Sequence, residues 1–226
     1  FSSSKYGFSM SSRLGWFLMD LPAWTTFIIS FFRGPNCGEF VPMLFMVIFL
    51  IHYTNRGIIF PFLIRTSPNR KKPFSLFVVL CGVVATSFHG YLNGTYFSTF
   101  ADHLTIDWLS DARFLIGIVI YYTGFILNIH SDSIVRNLRP SKRDLDRLSY
   151  KIPNGGLFQW VTCASYFGEL LAWFGFALFT WSLSGVYILT LSAANLIPRA
   201  FETHNWYRQK FEEYPKDRKV LIPFIL

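Results

Sequence analysis

Asn128, Asp132 and Arg136 are spaced i, i+4, i+8 in the stretch NIHSDSIVRNLR, and Arg139 follows three residues later. On a continuous α-helix this spacing puts an amide, a carboxylate and two guanidinium groups on one stripe, which can line one ligand. The same spacing also suits an ordinary surface ion pair between Asp132 and Arg136, and it does not choose between the two. The stripe follows directly on the apolar run FLIGIVIYYTGFIL. Other polar groups lie inside apolar stretches: Asp20, His52, Tyr53, His130, Glu169, Asn195 and Arg199. An ionisable group in a membrane span faces the bundle interior or a wet cavity and marks a site or pathway, so this set suggests one shared polar cavity. Asp20 and Tyr53 put a carboxylate and a phenol on neighbouring apolar segments, able to do acid chemistry on a bound carbonyl or to make a structural hydrogen bond. Gly155 and Gly156, in SYKIPNGGLF, either let backbone approach a phosphate or sugar or simply make a turn. No G-x-G-x-x-G joins a strand to a helix, so a Rossmann domain is not supported.

The elements that must position these groups follow from composition. Of 226 residues, 52% are hydrophobic and only 15% charged, which points to a bilayer protein rather than a soluble domain. Six stretches approach the length of a span: 16–32, 41–64, 74–100, 113–130, 157–181 and 185–201. No long soluble domain or internal repeat interrupts them, so the chain reads as one all-α transmembrane domain over 1–226. The net charge of +8 is concentrated in RTSPNRKKP, RNLRPSKRDLDRLSYK and the tail from Arg199, while FADHLTIDWLSDA holds Asp but no Lys or Arg. The basic loops alternate with the poor ones, so they read as orientation signals that put the C-terminus in the cytoplasm, and a nucleic-acid partner is not indicated. Cys37, Cys81 and Cys163 show neither a disulfide nor a metal-ligand spacing. FSSSKYGFSM lacks a signal pattern and reads as a trimmed start. The tail VLIPFIL is too short to span and is expected to pack on the bundle or lie at the interface.

Several motifs together resemble the steroid 5-alpha-reductase family: NIHSD with R-x-L-R, SYKIPNGGLF, GE at Gly168 and Glu169, RAF with a following His, EEYPKDRKVLIPFIL and, upstream, WFLMDLP and HYTNR-x-x-IFP. The match runs from about residue 16 to the C-terminus, and the chain is read as a bacterial-type homologue. The resemblance implies a seven-helix membrane enzyme, in a bacterial inner membrane or the endoplasmic reticulum, that uses NADPH to reduce the carbon-carbon double bond of a 3-oxo-delta-4 steroid. Six spans are visible here. Tyr6 and Gly7 match a segment that follows the family's first helix, so this chain is expected to lack that helix. The resemblance puts the family's carboxylate-tyrosine pair on Asp20 and Tyr53. Its cofactor contacts fall on Asn128, Asp132, Arg139, Tyr150, Glu169, Arg199 and Tyr207, with Arg139 toward the phosphates and Asn128 toward the nicotinamide. There are departures: Asp20 stands where Glu is usual, Ser165 where Asn is expected, and Thr203 at a His position with His204 adjacent. Ser165 and His204 complete the cofactor set.

Hydride addition to an enone develops negative charge on the carbonyl oxygen, so donors at that oxygen favour the transition state. Tyr53 is the expected donor. Asp20 either donates to the same oxygen or accepts from Tyr53 and orients it. The expected partners are a steroid or other lipid enone and membrane lipid, with no obligate protein partner and no metal. Two other readings stay open: a reductase of another enone or of a trans-2,3-enoyl thioester, and a non-catalytic lipid-binding or transport protein. Against the latter, the polar residues crowd toward one side and do not cross the membrane.

Overall fold

A computed structural model describes residues 9–65, 74–138 and 150–226. The architecture is α-helical. Its one strand pairing among the described residues is a two-residue antiparallel match of β1 (Ser9–Met10) with β2 (Phe74–Ser75). Among the described residues, four helical segments are long and apolar enough to cross a membrane: Ser12–Phe31, Phe40–Leu63, Leu76–Phe100 and Ala112–Leu138. These correspond to the first four expected stretches. The chain divides into two compact units, Phe1–Asp111 and Ala112–Leu226.

In the first unit, α1 (Ser12–Phe31) starts where the Ser11 hydroxyl accepts from the Leu14 amide. Pro22 sits inside α1, and the hydroxyls of Thr25 and Thr26 bond carbonyls of that same turn. Thr26 also donates to the Ser87 carbonyl of α4 (Leu76–Thr95), and Thr86 of α4 donates to the Met19 carbonyl. These bonds need close helices, and Gly90 and Gly94 allow it: a methyl at either would run into α1 backbone carbonyls, those of Ala23 and Phe27. Lipid is as apolar as a leucine side chain, so close packing and interhelical hydrogen bonds, rather than removal from water, hold such helices together. The helix α2 (Phe40–Tyr53) runs into a π-helical turn, Thr54–Ile59, and then α3 (Phe60–Leu63). A second π-turn, Tyr96–Phe100, ends α4.

In the second unit, α5 (Ala112–Leu138) packs along α6 (Ala164–Thr180). A methyl on Gly168 would lie 2.6 Å from the Asn128 amide nitrogen, and one on Gly117 would lie 2.5 Å from the Phe179 amide nitrogen, so the seam depends on hydrogen at these positions. α6 starts later than the expected stretch at 157, because Gly156–Gln159 form a 3-10 turn and the chain is irregular up to Cys163. α6 ends at Trp181 in left-handed geometry (φ 46°), under the Arg113 guanidinium 4.8 Å above the indole. Ser182 then caps α7 (Leu183–Lys210) by accepting from the Gly185 amide.

The C-terminal tail docks onto the segment before α6. Lys219 N–H donates to Trp160 O, and the amides of Thr162 and Cys163 donate to Lys219 O and Val220 O. Leu221 is buried, whereas Phe224 and Ile225 are exposed. The tail therefore packs on its own unit, one of the two placements expected.

Candidate active site

The candidate residues fall into two groups, one in each unit. Asp20 and Tyr53 are 6% and 4% exposed. Asp20 lies against Gly57: a methyl there would be 3.3 Å from the Asp20 Cβ. Tyr53 is the last residue of α2 before the π-turn, an irregularity that frequently occurs at functional sites. Its ring packs on Phe49 (4.8 Å between centroids), which stacks on Phe27 of α1 at 4.2 Å. His89 of α4, fully buried, completes a cluster of three rings, 5.5 Å from the Tyr53 centroid and 5.1 Å from that of Phe49.

The state of His89 follows from its neighbour. Asn93 Nδ2 lies 2.9 Å from the His89 carbonyl oxygen and 3.0 Å from its Nδ1. A carbonyl only accepts, which fixes the amide nitrogen as donor and makes Nδ1 the acceptor. The neutral imidazole then carries its proton on Nε2. The pair is local, one turn apart on α4, and the packing of Phe49 and Tyr53 against His89 brings it beside α2.

The second group lies on α5, α6 and α7. Asn128 is buried, and its Nδ2 donates to the Ser165 carbonyl at 2.9 Å across the glycine seam. Ser165 is therefore held at Asn128 by its backbone. Glu169, one turn along α6, is buried and accepts from the Trp173 indole N–H at 2.9 Å. Asp132 and Arg136 continue the stripe of α5, half-buried, and Arg136 donates to Ser133 at 3.2 Å. Ser131, between Asn128 and Asp132, is fully buried, and its hydroxyl has no hydrogen-bond partner. Tyr150 is exposed and meets the Trp206 ring edge-on at 4.9 Å, Arg199 is exposed, and Tyr207 stacks on Tyr214 at 5.5 Å. Arg139, Tyr6 and Gly7 lie outside the described residues.

The glycine pair is a shaped turn. Gly155 and Gly156 have φ of 91° and 51°, a region other residues rarely adopt, and a methyl at Gly156 would lie 2.7 Å from the His130 ring. The loop is clamped from the tail by Arg218, which is buried and donates to Pro153 O and Asn154 Oδ1, both at 3.1 Å.

His204 is joined to the same tail. Thr162 Oγ1 lies 3.1 Å from Lys219 O, 2.5 Å from His204 Nδ1 and 2.7 Å from the Tyr214 hydroxyl. A hydroxyl has one proton, and the Lys219 carbonyl can only accept it. Thr162 thus accepts from His204 Nδ1–H and Tyr214 O–H. Burial lowers the His204 pKa, with Arg208 and Arg218 adding to the effect. Thr162, Tyr214 and Arg218 were not among the expected site residues, since 42 to 65 residues separate the partners in these bonds.

Comparison with known proteins decides the family. A family model described as 3-oxo-5-alpha-steroid 4-dehydrogenase matches residues 72–226. The 3-oxo-5-alpha-steroid 4-dehydrogenase 1 of Mus musculus is 41% identical over 228 residues, covering 100% of this chain and 86% of the mouse protein. The Rattus norvegicus protein of that name is 40% identical over 222 residues, covering 97% and 82%. The steroid 5-alpha-reductase DET2 of Solanum lycopersicum is 38% identical over 228 residues, covering 100% and 85%. The chain belongs to the 3-oxo-5-alpha-steroid 4-dehydrogenase family. It is thus an oxidoreductase, and its apolar helices make it a multi-pass membrane protein. Asp20 and Tyr53 are buried in the first unit, and Asn128 and Glu169 in the second.

Proposed function

We propose that the protein reduces the 4,5 double bond of 3-oxo-delta-4 steroids to 5-alpha-3-oxo steroids, with NADPH as reductant, in a membrane-embedded cavity. The observation that carries this reading is the buried Asp20 and Tyr53 pair in a chain 40% identical to proteins named for that reaction. NADPH, when bound, supplies the hydride. Tyr53 donates its O–H to the steroid carbonyl oxygen, where enolate charge develops as hydride reaches the β carbon. Asp20, against the π-turn that follows Tyr53, is the second polar group of this apparatus.

The second unit suits a nicotinamide cofactor. Ser131 holds a buried hydroxyl with no hydrogen-bond partner one turn from Asn128, so this end of α5 offers polar groups to a carboxamide. Asp132, Glu169, Arg199, Tyr207, Tyr150, Ser165 and His204 complete the proposed cofactor set. Gly155 and Gly156 expose backbone for close approach, and Arg139 in the adjoining basic stretch is assigned to the 2′-phosphate, which favours NADPH over NADH.

Incubation of the purified protein with NADPH and a panel of 3-oxo-delta-4 steroids, other enones and trans-2,3-enoyl thioesters tests the assignment. Mass spectrometry should find the steroids gaining two hydrogens. Reduction of the thioesters alone, or no change in NADPH fluorescence on adding protein, would contradict it.

A further inference from the structure

The register of α1 against α2 is fixed at two points. Asp20 abuts Gly57, and Phe27 stacks on Phe49 at 4.2 Å. Along α1 the positions run 20, 24, 27, and along α2 and its π-turn they run 57, 53, 49, in the opposite direction. Trp24 therefore stands level with Tyr53, midway between the two contacts. Its indole Nε1 is buried and has no hydrogen-bond partner. An unsatisfied buried N–H is rare in a folded protein and carries a desolvation penalty that a native structure rarely retains without use.

We infer that Trp24 is a further catalytic residue, whose Nε1–H donates to the substrate's carbonyl oxygen beside the Tyr53 hydroxyl. The inference rests on the proposed role of Tyr53 and extends it. A carbonyl oxygen has two lone pairs and accepts two donors, and both grow stronger as the enolate forms. The indole N–H does not ionise, so it can donate but cannot take the proton back. An acceptor on the bound substrate also satisfies this buried N–H.

Trp24→Phe removes the N–H and keeps an aromatic ring. Benzothienylalanine at position 24 exchanges N–H for sulfur and keeps the bicyclic shape as well. Deleting an unpaired donor removes its desolvation penalty, so the benzothienylalanine protein should melt at or above the wild-type temperature. Its single-turnover reduction of a 3-oxo-delta-4 steroid should slow about 10-fold to 100-fold, the worth of a hydrogen bond to a charged acceptor, with NADPH affinity unchanged. The same should hold for Trp24→Phe where it folds. Tyr53→Phe is measured alongside. A slow Tyr53→Phe protein with wild-type turnover in the benzothienylalanine protein would overturn the role of Trp24 alone. Wild-type turnover in both would overturn the carbonyl site itself. A benzothienylalanine protein that fails to fold would show that the indole N–H is structural, which also contradicts the inference.

Discussion

Tyr53 packs against two rings, Phe49 from its own helix and His89 from α4, which also touch each other, and the ring that Tyr53→Phe keeps makes those same contacts. That makes Tyr53→Phe a clean deletion. Packing survives, and losing one donor to a developing oxyanion should lower turnover roughly 100-fold to 1000-fold at unchanged NADPH affinity, read by single-turnover reduction. Asp20→Asn should also be slow. If acid and phenol act as a unit, the double variant should be little slower than the slower single, while multiplying effects would show independent roles. Both residues were legible in the sequence, because a carboxylate and a phenol inside apolar runs stand out and WFLMDLP and HYTNR carry the family resemblance. Trp24 is less so: it is one of several aromatic residues, with Trp16, Phe88, Tyr91 and Phe114, that could line an apolar cavity, and in a chain with 26 Phe, 11 Tyr and 7 Trp plain packing is the commoner role. Its significance comes from register and an unsatisfied indole, which exist only once α1 and α2 are packed. The Thr162, His204 and Tyr214 cluster was illegible for a related reason, since its members meet only when the tail docks.

Two elements bear on the second group of candidate residues. The α5 and α6 seam brings Asn128 to Ser165, and it works because Gly168 presents only hydrogen to the Asn128 backbone. Gly168→Leu must push the helices apart, so it should lower the melting temperature and weaken NADPH binding together; an unchanged thermal scan with intact binding would contradict the seam. The tail strap should respond to pH. His204 binds its proton less tightly folded than unfolded. Above the ordinary imidazole range both forms are neutral and the strap is at full strength; as pH falls through that range the unfolded tail takes up the proton first, and docking weakens. Amide exchange at Thr162 and Cys163, corrected for its intrinsic pH dependence, should therefore speed up on acidification, and His204→Gln should flatten the response. Exchange that does not change with pH in the wild type would contradict it. Helix existence was legible from apolar length, but internal irregularities were not. The π-turn at Thr54–Ile59 falls on the polar run Thr54, Asn55 and Arg56, which marks a break in apolarity but not a change of helix type, and the late start of α6 reflects the tail pairing with Trp160, Thr162 and Cys163.

The whole molecule is a membrane oxidoreductase whose basic segments alternate with an acidic one along the chain. The positive-inside rule predicts Lys216 in the cytoplasm and Asp107 on the opposite side. Single cysteines at these positions, in a background lacking Cys37, Cys81 and Cys163, should react with impermeant reagents from opposite faces; labelling of both from one face would contradict this orientation. Family and class were legible because the motifs are long and nearly contiguous in sequence. Isotope transfer from cofactor to steroid reads the proposed reaction directly. NADPH deuterated at the transferring position of its nicotinamide should deliver one deuterium to C5 of a 3-oxo-delta-4 steroid, with a solvent proton arriving at C4 and the product heavier by three mass units than its substrate. Deuterium that stays in the oxidised cofactor, or a steroid recovered without it, would contradict the account.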